Sequence, residues 1–571
     1  FNTENNTFEE IVNASPSPDY KIIRDLAIIN ENELWIGTQS GIYIIDLENK
    51  TKNKHLQEDL IDPTSLSDNL IETIFQDREG NIWIGTRSGG VDNLPKSGIN
   101  FNIFSPNENK QSLRSKKVRR IIEDDEQRIW IGTEDAGLFI LTPQTELFSK
   151  IERLHSNHVL SLMKNNEKIL IGYFKNGLDV ITNKKNTQTI EHYTPKQMGL
   201  NEESVYAMCK DKQGNIWLGN AWGVYLAKVG SMSFERQTQF GLCYTHDIVE
   251  DSEGEIWVAT MGSGVFRYTP SNKNITHYVV GEKENTLSSN SVSSITEDHK
   301  GKIWFSTDRG GICVYNKTTE DFKRYSISEG LPDDVAYKIV EDRQNTLWFG
   351  TNKGLVKFDP SRESVTVFTK ENGLQSNQFN YNAGLMTQDG NILFGTANGM
   401  ISFNPHNIKT NYYIPPVYIN SLSILNDEVN DYTPSGILQK ALIHTQEVIL
   451  PYNKTNISLG FVSLSYTSPI NNQFLYMMEG VDETWVTATK SQSASYSNLA
   501  PGKYRFKVKG SNNDGIWNPE EASIDIIVTP PWWKSNMAYV LYTVFLILII
   551  YITLRKSANR YAKRLKQKQH L

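Results

Sequence analysis

Cysteine is scarce in this chain of 571 residues: Cys209, Cys243 and Cys313 are all there is. An odd, widely spaced set offers neither a disulfide framework nor metal-ligand spacing, so the three read as buried thiols in or beside strands. The ten histidines are scattered, and HExxH, GxSxG and phosphate-loop motifs are missing. Hydrolysis or elimination needs an acid/base pair, an activated nucleophile or a metal set. No catalytic residue, metal or cofactor is therefore expected. Long apolar runs are missing apart from one stretch near the C-terminus. Excess positive charge is missing too. The chain carries −7, and Arg555 to Leu571 holds seven Lys or Arg and no acid, so the portion before it stands at −14. That balance argues against nucleic acid as a partner and against a general grip on polyanions.

What the chain has in abundance is one motif. It reads LWIGTQSG from Leu34, IWIGTRSGG from Ile82, IWIGTEDAG from Ile129 and IWLGNAWG from Ile216. It returns as IWVATMGSG from Ile256, IWFSTDRGG from Ile303 and LWFGTNKG from Leu347. Two further copies put Leu170 and Leu393 in the tryptophan slot. The spacing runs from 40 to 48 residues. Within one copy, Ser291 to Tyr325, four short β-rich runs alternate with glycine turns. Four strands at this period make a propeller blade. The second run is apolar at consecutive positions, as expected where neighbouring blades cover both faces. The Glu-Asp pairs Glu123-Asp124, Glu250-Asp251, Glu297-Asp298 and Glu341-Asp342 recur at one repeat position, which marks them as turn residues closing the first strand.

Ring closure is also legible. The last repeat ends its third run at Met400 to Phe403 and passes into Asn404-Pro405 without a fourth. Seven repeats counted back from Leu393 reach the Trp130 copy, and the strand-like Phe101 to Phe104 lies just before it. The expectation is a seven-bladed ring at 99–408 closed by that borrowed strand, preceded at 1–98 by the last blades of another, truncated propeller. Thr7 to Val12 resembles a fourth strand without its first three, which predicts more repeats upstream.

From 409 to 530 the repeat stops. Strand candidates at Val417 to Leu425, Ile457 to Tyr466, Phe474 to Glu479, Tyr504 to Gly510 and Ser523 to Val528 predict an immunoglobulin-like sandwich. Pro530-Pro531-Trp532-Trp533 follows, then an uncharged stretch, Met537 to Leu554. At about 1.5 Å per residue it covers roughly 27 Å, close to a bilayer core of about 30 Å. The tryptophans suit one interface, and the basic tail, 555–571, suits the cytoplasmic side as a linker helix. The fold class is therefore all-β with one transmembrane helix at 537–554.

These repeats resemble two-component-regulator propeller repeats, and residues 457–533 resemble the triple-tyrosine domain that follows them. The second resemblance rests on Ser465-Tyr466-Thr467-Ser468-Pro469, Phe474-Leu475-Tyr476, Glu479-Gly480-Val481, Trp485, Tyr496-Ser497-Asn498-Leu499, Pro501-Gly502-Lys503-Tyr504, Asn512, Gly515, Trp517 and the closing Pro-Pro-Trp-Trp. The order is similar to the periplasmic sensor region of hybrid two-component systems from glycan-degrading, Bacteroidetes-type bacteria. It implies two seven-bladed rings, hence about five repeats ahead of those present, and histidine kinase, receiver and DNA-binding modules beyond Leu571. It also implies an oligosaccharide receptor, working as a homodimer in the inner membrane to control glycan-utilisation genes. Residues 1–536 would be periplasmic and 555–571 cytoplasmic, with no direct nucleic-acid contact. A membrane-anchored adhesion or protein-binding scaffold is the alternative.

Sugars need aromatic faces for their C–H surfaces and planar polar groups for their hydroxyls. A propeller offers both where the loops after second strands and before first strands meet. The first class gives Glu134, Asp135, Tyr173, Lys175, Asn220, Trp222, Asp308, Arg309, Asn352, Lys353 and Asn398. The second gives Asp333, Asp334, Gln378, Asn380 and Tyr381. Trp222, Tyr173 and Arg309 are preferred, because sister repeats carry small residues there. The basic run Arg114, Lys116, Lys117, Arg119 and Arg120 is a solvated loop, a contact to the neighbouring ring, or a grip for an acidic sugar.

Overall fold

The computed structural model describes residues 22–48, 53–60, 64–96, 101–107, 111–184, 187–283, 285–431, 436–488 and 491–569. Thr7 to Val12 lie outside the described residues. Two compact units divide the chain, one up to Lys409 and one from Thr410.

In the first unit seven four-stranded antiparallel sheets form a ring. Their first strands are Val118–Glu123, Val159–Asn165, Ala207–Lys210, Thr245–Glu250, Val292–Glu297, Ala336–Glu341 and Phe379–Met386, and these define blades 1 to 7. Each first strand adjoins the next, and that of blade 7 adjoins that of blade 1. Blade 7 takes its fourth strand from the other end of the ring: Asn102–Phe104 pairs antiparallel with Gly399–Phe403. Ahead of the ring stand a four-stranded blade from Ile23 to Leu56 and a three-stranded one from Ile71 to Leu94.

The motif explains how the blades stack. In blades 1 and 3 to 7 every residue of the second strand is buried, because a sheet lies against each face. Glycine in this strand admits the next blade: a Cβ on Gly350 would sit 2.3 Å from the Phe379 side chain. Apolar clusters bridge neighbouring blades, such as Trp257, Phe305 and Tyr315 between blades 4 and 5. The cluster between blades 7 and 1 joins Leu393 and Met400 to Val118 and Ile131. The ring thus closes through packing as well as strand pairing.

The Glu-Asp pairs have two separate jobs. The aspartate accepts the indole N–H of the tryptophan six residues on. The distances are 2.7 Å for Asp124 and Trp130, 3.0 Å for Asp251 and Trp257, 2.9 Å for Asp298 and Trp304, and 2.8 Å for Asp342 and Trp348. Where the slot holds Leu170 or Leu393, the aspartate position holds Asn165 or Thr387. The glutamate instead clamps the preceding blade. Glu250 accepts the Lys212 N–H at 2.6 Å, Glu297 that of Ser252 at 2.8 Å and Glu341 that of His299 at 2.8 Å. Glu123 does the same across the closure, with Gln388 at 2.8 Å.

Cys243 and Cys313 are buried and Cys209 is partly so, all as free thiols. Burial pushes the Cys209 thiol up to about 12 and Cys313 up to about 11, so neither is a nucleophile at neutral pH.

The second unit is a sandwich of a four-stranded and a five-stranded sheet. Its inner faces meet through Leu422, Leu459, Phe461, Phe474, Phe506 and Ile526. The five anticipated strands are there, with Asp427–Val429, Glu447–Leu450, Val486–Thr487 and Ser493–Tyr496 in addition. Glu447–Leu450 pairs parallel with the strand Ala522–Val528. It escapes a sequence reading because it is short and isolated between loops. Two tyrosines anchor the sandwich: Tyr496 Oη donates to Asp482 at 2.6 Å, and Tyr504 Oη to the Ala500 carbonyl at 2.9 Å. One helix, Asn536–Gln569, follows. It is long and apolar enough to cross a membrane: its most apolar 18-residue window has mean hydropathy 2.4 and is 6% buried.

Candidate functional site

In an antiparallel blade the start of the first strand lies beside the end of the second. Val118 pairs with Thr133 in blade 1, and Ala336 with Thr351 in blade 6. Both loop classes therefore open at one end of the ring, around the central channel. The first strands line that channel, and the residues that matter sit near their starts.

Four tyrosines and a histidine form a chain of edge-to-face contacts across the mouth. Ring centroids lie 4.7 Å apart for Tyr206 and Tyr244, 6.3 Å for Tyr244 and His246, 5.3 Å for His246 and Tyr381, and 4.8 Å for Tyr381 and Tyr337. The Arg119 guanidinium lies 5.4 Å from the Tyr381 ring centre and 3.3 Å from Glu134. Tyr337 Oη donates to Asn352 Oδ1 at 2.7 Å. Burial first, then Tyr381, Asp308 and Asp333, pushes the Tyr337 phenol up to about 12. Burial and Asp308 raise Tyr381 as well. Both phenols are thus neutral donors at neutral pH.

One step deeper, charges close the channel. Asp247 is buried and takes Arg120 at 3.3 Å, Lys338 at 3.5 Å and the Ile295 N–H at 3.1 Å. Burial would raise its pKa, but the two cations and the N–H outweigh that and hold it below the usual carboxylate range. Asn382, from the opposite side of the ring, donates to the His246 carbonyl at 3.2 Å. The channel is therefore a mouth with a polar floor.

His246 gives that floor a pH response. Its Nδ1 lies 2.8 Å from the Ser293 carbonyl, which can only accept, so Nδ1 carries the proton. Burial and Arg119 lower its pKa from 6.5 to about 4. Between those values the unfolded chain binds a proton that the folded chain refuses. Stability is therefore full above pH 6.5 and falls as pH drops toward 4, by about 3 kcal/mol. Urea midpoints measured from pH 4 to 7 should show this loss, and His246→Gln should flatten it.

The sequence-derived candidates divide. Tyr381, Asp308, Arg309, Asn352, Glu134 and Asp333 meet at or beside the mouth, where Arg309 is exposed and 4.0 Å from Asp308. Lys353 leans toward Asp333 at 3.8 Å. Trp222 is 53% exposed at the tip of its loop, and Asn220, buried below it, accepts the Trp222 N–H at 2.9 Å. Lys175 lies over the Phe174 ring, and Asn398 donates its N–H to Thr396. Asn380 bonds the Thr396 carbonyl, Asp135 accepts from Ser115, and Asp334 accepts the Ile327 N–H. The Ser376 hydroxyl donates to the Gln378 carbonyl. Tyr173 is fully buried and directs its hydroxyl into blade 2, at 2.7 Å from Asp179. Its bulk serves the blade interior and does not face the mouth.

The basic run also divides. Arg114, Lys116 and Lys117 are exposed, whereas Arg119 and Arg120 turn into the channel because they occupy first-strand positions. Tyr206, Tyr244, His246, Asp247, Tyr337 and Lys338 had no place in a loop-based reading. For Tyr206, His246 and Tyr337 the signal was present: at one first-strand register, where blades 2 and 5 hold Leu160 and Ser293, they stand with Arg119.

Comparison with known proteins agrees with this architecture. The two component regulator propeller model matches residues 65–88, 112–135, 199–222, 286–309 and 330–353. The Y_Y_Y domain model matches residues 465–529. The extracellular domain of the putative hybrid two component system BT3049 from B. thetaiotaomicron superposes with a TM-score of 0.74 at 26% identity, covering 89% of this chain and 68% of that one. Histidine kinase P4 of Formosa agariphila is 32% identical over 238 residues, 41% of this chain. The match spans 17% of that relative's length. This chain thus carries two-component regulator propeller repeats followed by a Y_Y_Y domain, in the fold of the extracellular part of a hybrid two-component system.

Proposed function

We propose that this chain is the extracytoplasmic sensing region of a membrane-bound two-component sensor, and that its ring binds an oligosaccharide at the tyrosine-lined mouth. The order of propeller, sandwich and apolar helix supports the sensor reading. One observation carries the ligand reading: tyrosine edges and faces alternate there with Arg119, Asp308 and Asn352, apolar surface beside fixed polar groups. That combination suits a ring whose faces carry C–H and whose rim carries hydroxyls. Residues before the helix lie in the periplasm and the basic tail in the cytoplasm, with the helix in the inner membrane. Signalling follows from a homodimer whose two packings differ in ligand affinity, since a ligand shifts an equilibrium only by such a difference. The wider outcome is control of glycan-utilisation genes.

Calorimetric titration of the chain in detergent against neutral and acidic oligosaccharides tests this reading. One glycan class should bind, and Tyr381→Ala should weaken it about tenfold, or roughly 1.4 kcal/mol. Silence across the panel would transfer the mouth to a protein partner, the adhesion alternative.

A further inference from the structure

Blade 2 departs from its sisters at several positions at once. In the third strand, opposite the residue that follows the tryptophan slot, blades 1 and 3 to 7 carry Phe139, Tyr225, Phe266, Cys313, Val356 and Ile401. Blade 2 carries Asp179 there, opposite Ile171. It is fully buried. Where Thr133, Thr260, Thr307 and Thr351 close their own turns with a hydroxyl, blade 2 has Tyr173, whose hydroxyl reaches Asp179 Oδ2 at 2.7 Å. The fourth-strand partner of Asp179 is His192, with Nδ1 2.7 Å from Oδ1. His155, on the loop entering the blade, brings its own Nδ1 to 3.0 Å from the same oxygen.

We infer that His155, Asp179 and His192 form a binding site for a divalent transition-metal cation of the zinc type. A buried carboxylate is tolerated when it is paired or ligates a metal. Among the described residues the basic side chains within ion-pair distance of Asp179 are these two histidines. The three donor atoms lie within 4.8 Å of one another. Two imidazoles and one carboxylate are a donor set that zinc accepts, with a fourth position left for water or a ligand. The Tyr173 hydroxyl and the His155 backbone N–H, 3.1 Å from Oδ2, hold the far carboxylate oxygen. This support fixes the orientation of a ligating group.

Binding requires two adjustments. Each imidazole must carry its proton on Nε2, leaving the Nδ1 lone pair for the cation. The two rings, stacked at 4.0 Å with planes 16° apart, must splay so that both lone pairs meet at one point. His155 allows this, because it sits on a loop and its side chain is 47% exposed. His192 stays fixed by its strand register. The cation would tie the loop between blades 1 and 2 to the outer strands of blade 2. These residues are too far apart in sequence to show metal spacing, which is why the scattered histidines gave no signal.

Cobalt(II) titration of the untagged chain in detergent, after chelator treatment, tests the site. One equivalent should bind with the intense visible bands of four-coordinate cobalt, and zinc should displace it. His155→Ala, a loop change, should abolish the bands while the chain without metal still unfolds cooperatively, since His192 and Tyr173 keep Asp179 paired. Tyr173→Phe should weaken cobalt roughly 10–100-fold, as losing a group behind a ligand does. Absence of the bands, or equal bands in His155→Ala, would overturn the assignment.

Discussion

Asp247→Ala should be among the most damaging single changes in the ring, costing about 3–5 kcal/mol. The carboxylate is 1% exposed and sits between Arg120 and Lys338, whose side chains are 15% and 19% exposed. Those cations come from blades 1 and 6, and Asp247 from blade 4. Removing it leaves two partly desolvated positive charges facing each other with no counter-ion. Burial already lowers the Lys338 pKa despite Asp247, so without the carboxylate the lysine shifts further toward neutrality. Urea unfolding followed by tryptophan emission would measure the loss. Adding Lys338→Met removes one stranded charge and should restore part of the stability. If Asp247→Ala unfolds like the parent, the charged floor does not hold the ring together.

The repeat announced the ring because each blade must bury the same strand in the same way. Ile-Trp-Ile-Gly-Thr is apolar on both faces, and its glycine sits where the next blade presses in. Even the borrowed strand could be anticipated, since a fourth strand was missing at Phe403 and a spare one stood at Phe101 to Phe104. The mouth was only half legible. Loop residues such as Asp308, Asn352 and Tyr381 stood out because they belong to the two loop classes that open at one end of the ring. The channel lining did not, because first-strand positions obey no apolar consensus: Arg119, Tyr206, His246 and Tyr337 occupy one register and look unrelated in a linear reading. Tyr173 shows the converse error. A large residue in place of a small one can answer a substitution elsewhere in its own blade, here Asp179, and never reach solvent. The short strand Glu447–Leu450 was hidden for another reason: its register comes from a distant partner, Asp525 to Val528, and not from any local pattern.

Trp304→Ala should cost about 3–5 kcal/mol, the range for emptying a large buried aromatic site. Trp304 is 1% exposed and packs against Phe358 and Tyr325 between blades 5 and 6. Cavity formation is only part of the effect. Asp298 is 8% exposed, and its Oδ1 takes the N–H groups of Lys300 and Lys302 while its Oδ2 takes the indole. Without the indole, Oδ2 loses a charge-assisted hydrogen bond in a site poor in water. Blade 7 shows how the fold manages without the pair. Leu393 fills the slot, and Thr387 closes the turn with its hydroxyl, donating to the Asn391 carbonyl at 3.0 Å and accepting its N–H at 3.1 Å. Trp304→Leu combined with Asp298→Thr should therefore cost less than the two single changes added together, by about 1 kcal/mol or more. Denaturant unfolding of the four proteins in that cycle measures the difference. Strict additivity would mean that tryptophan and aspartate recur together for separate reasons; coupling would mean that the repeat's most visible residue is kept in place by its least visible one.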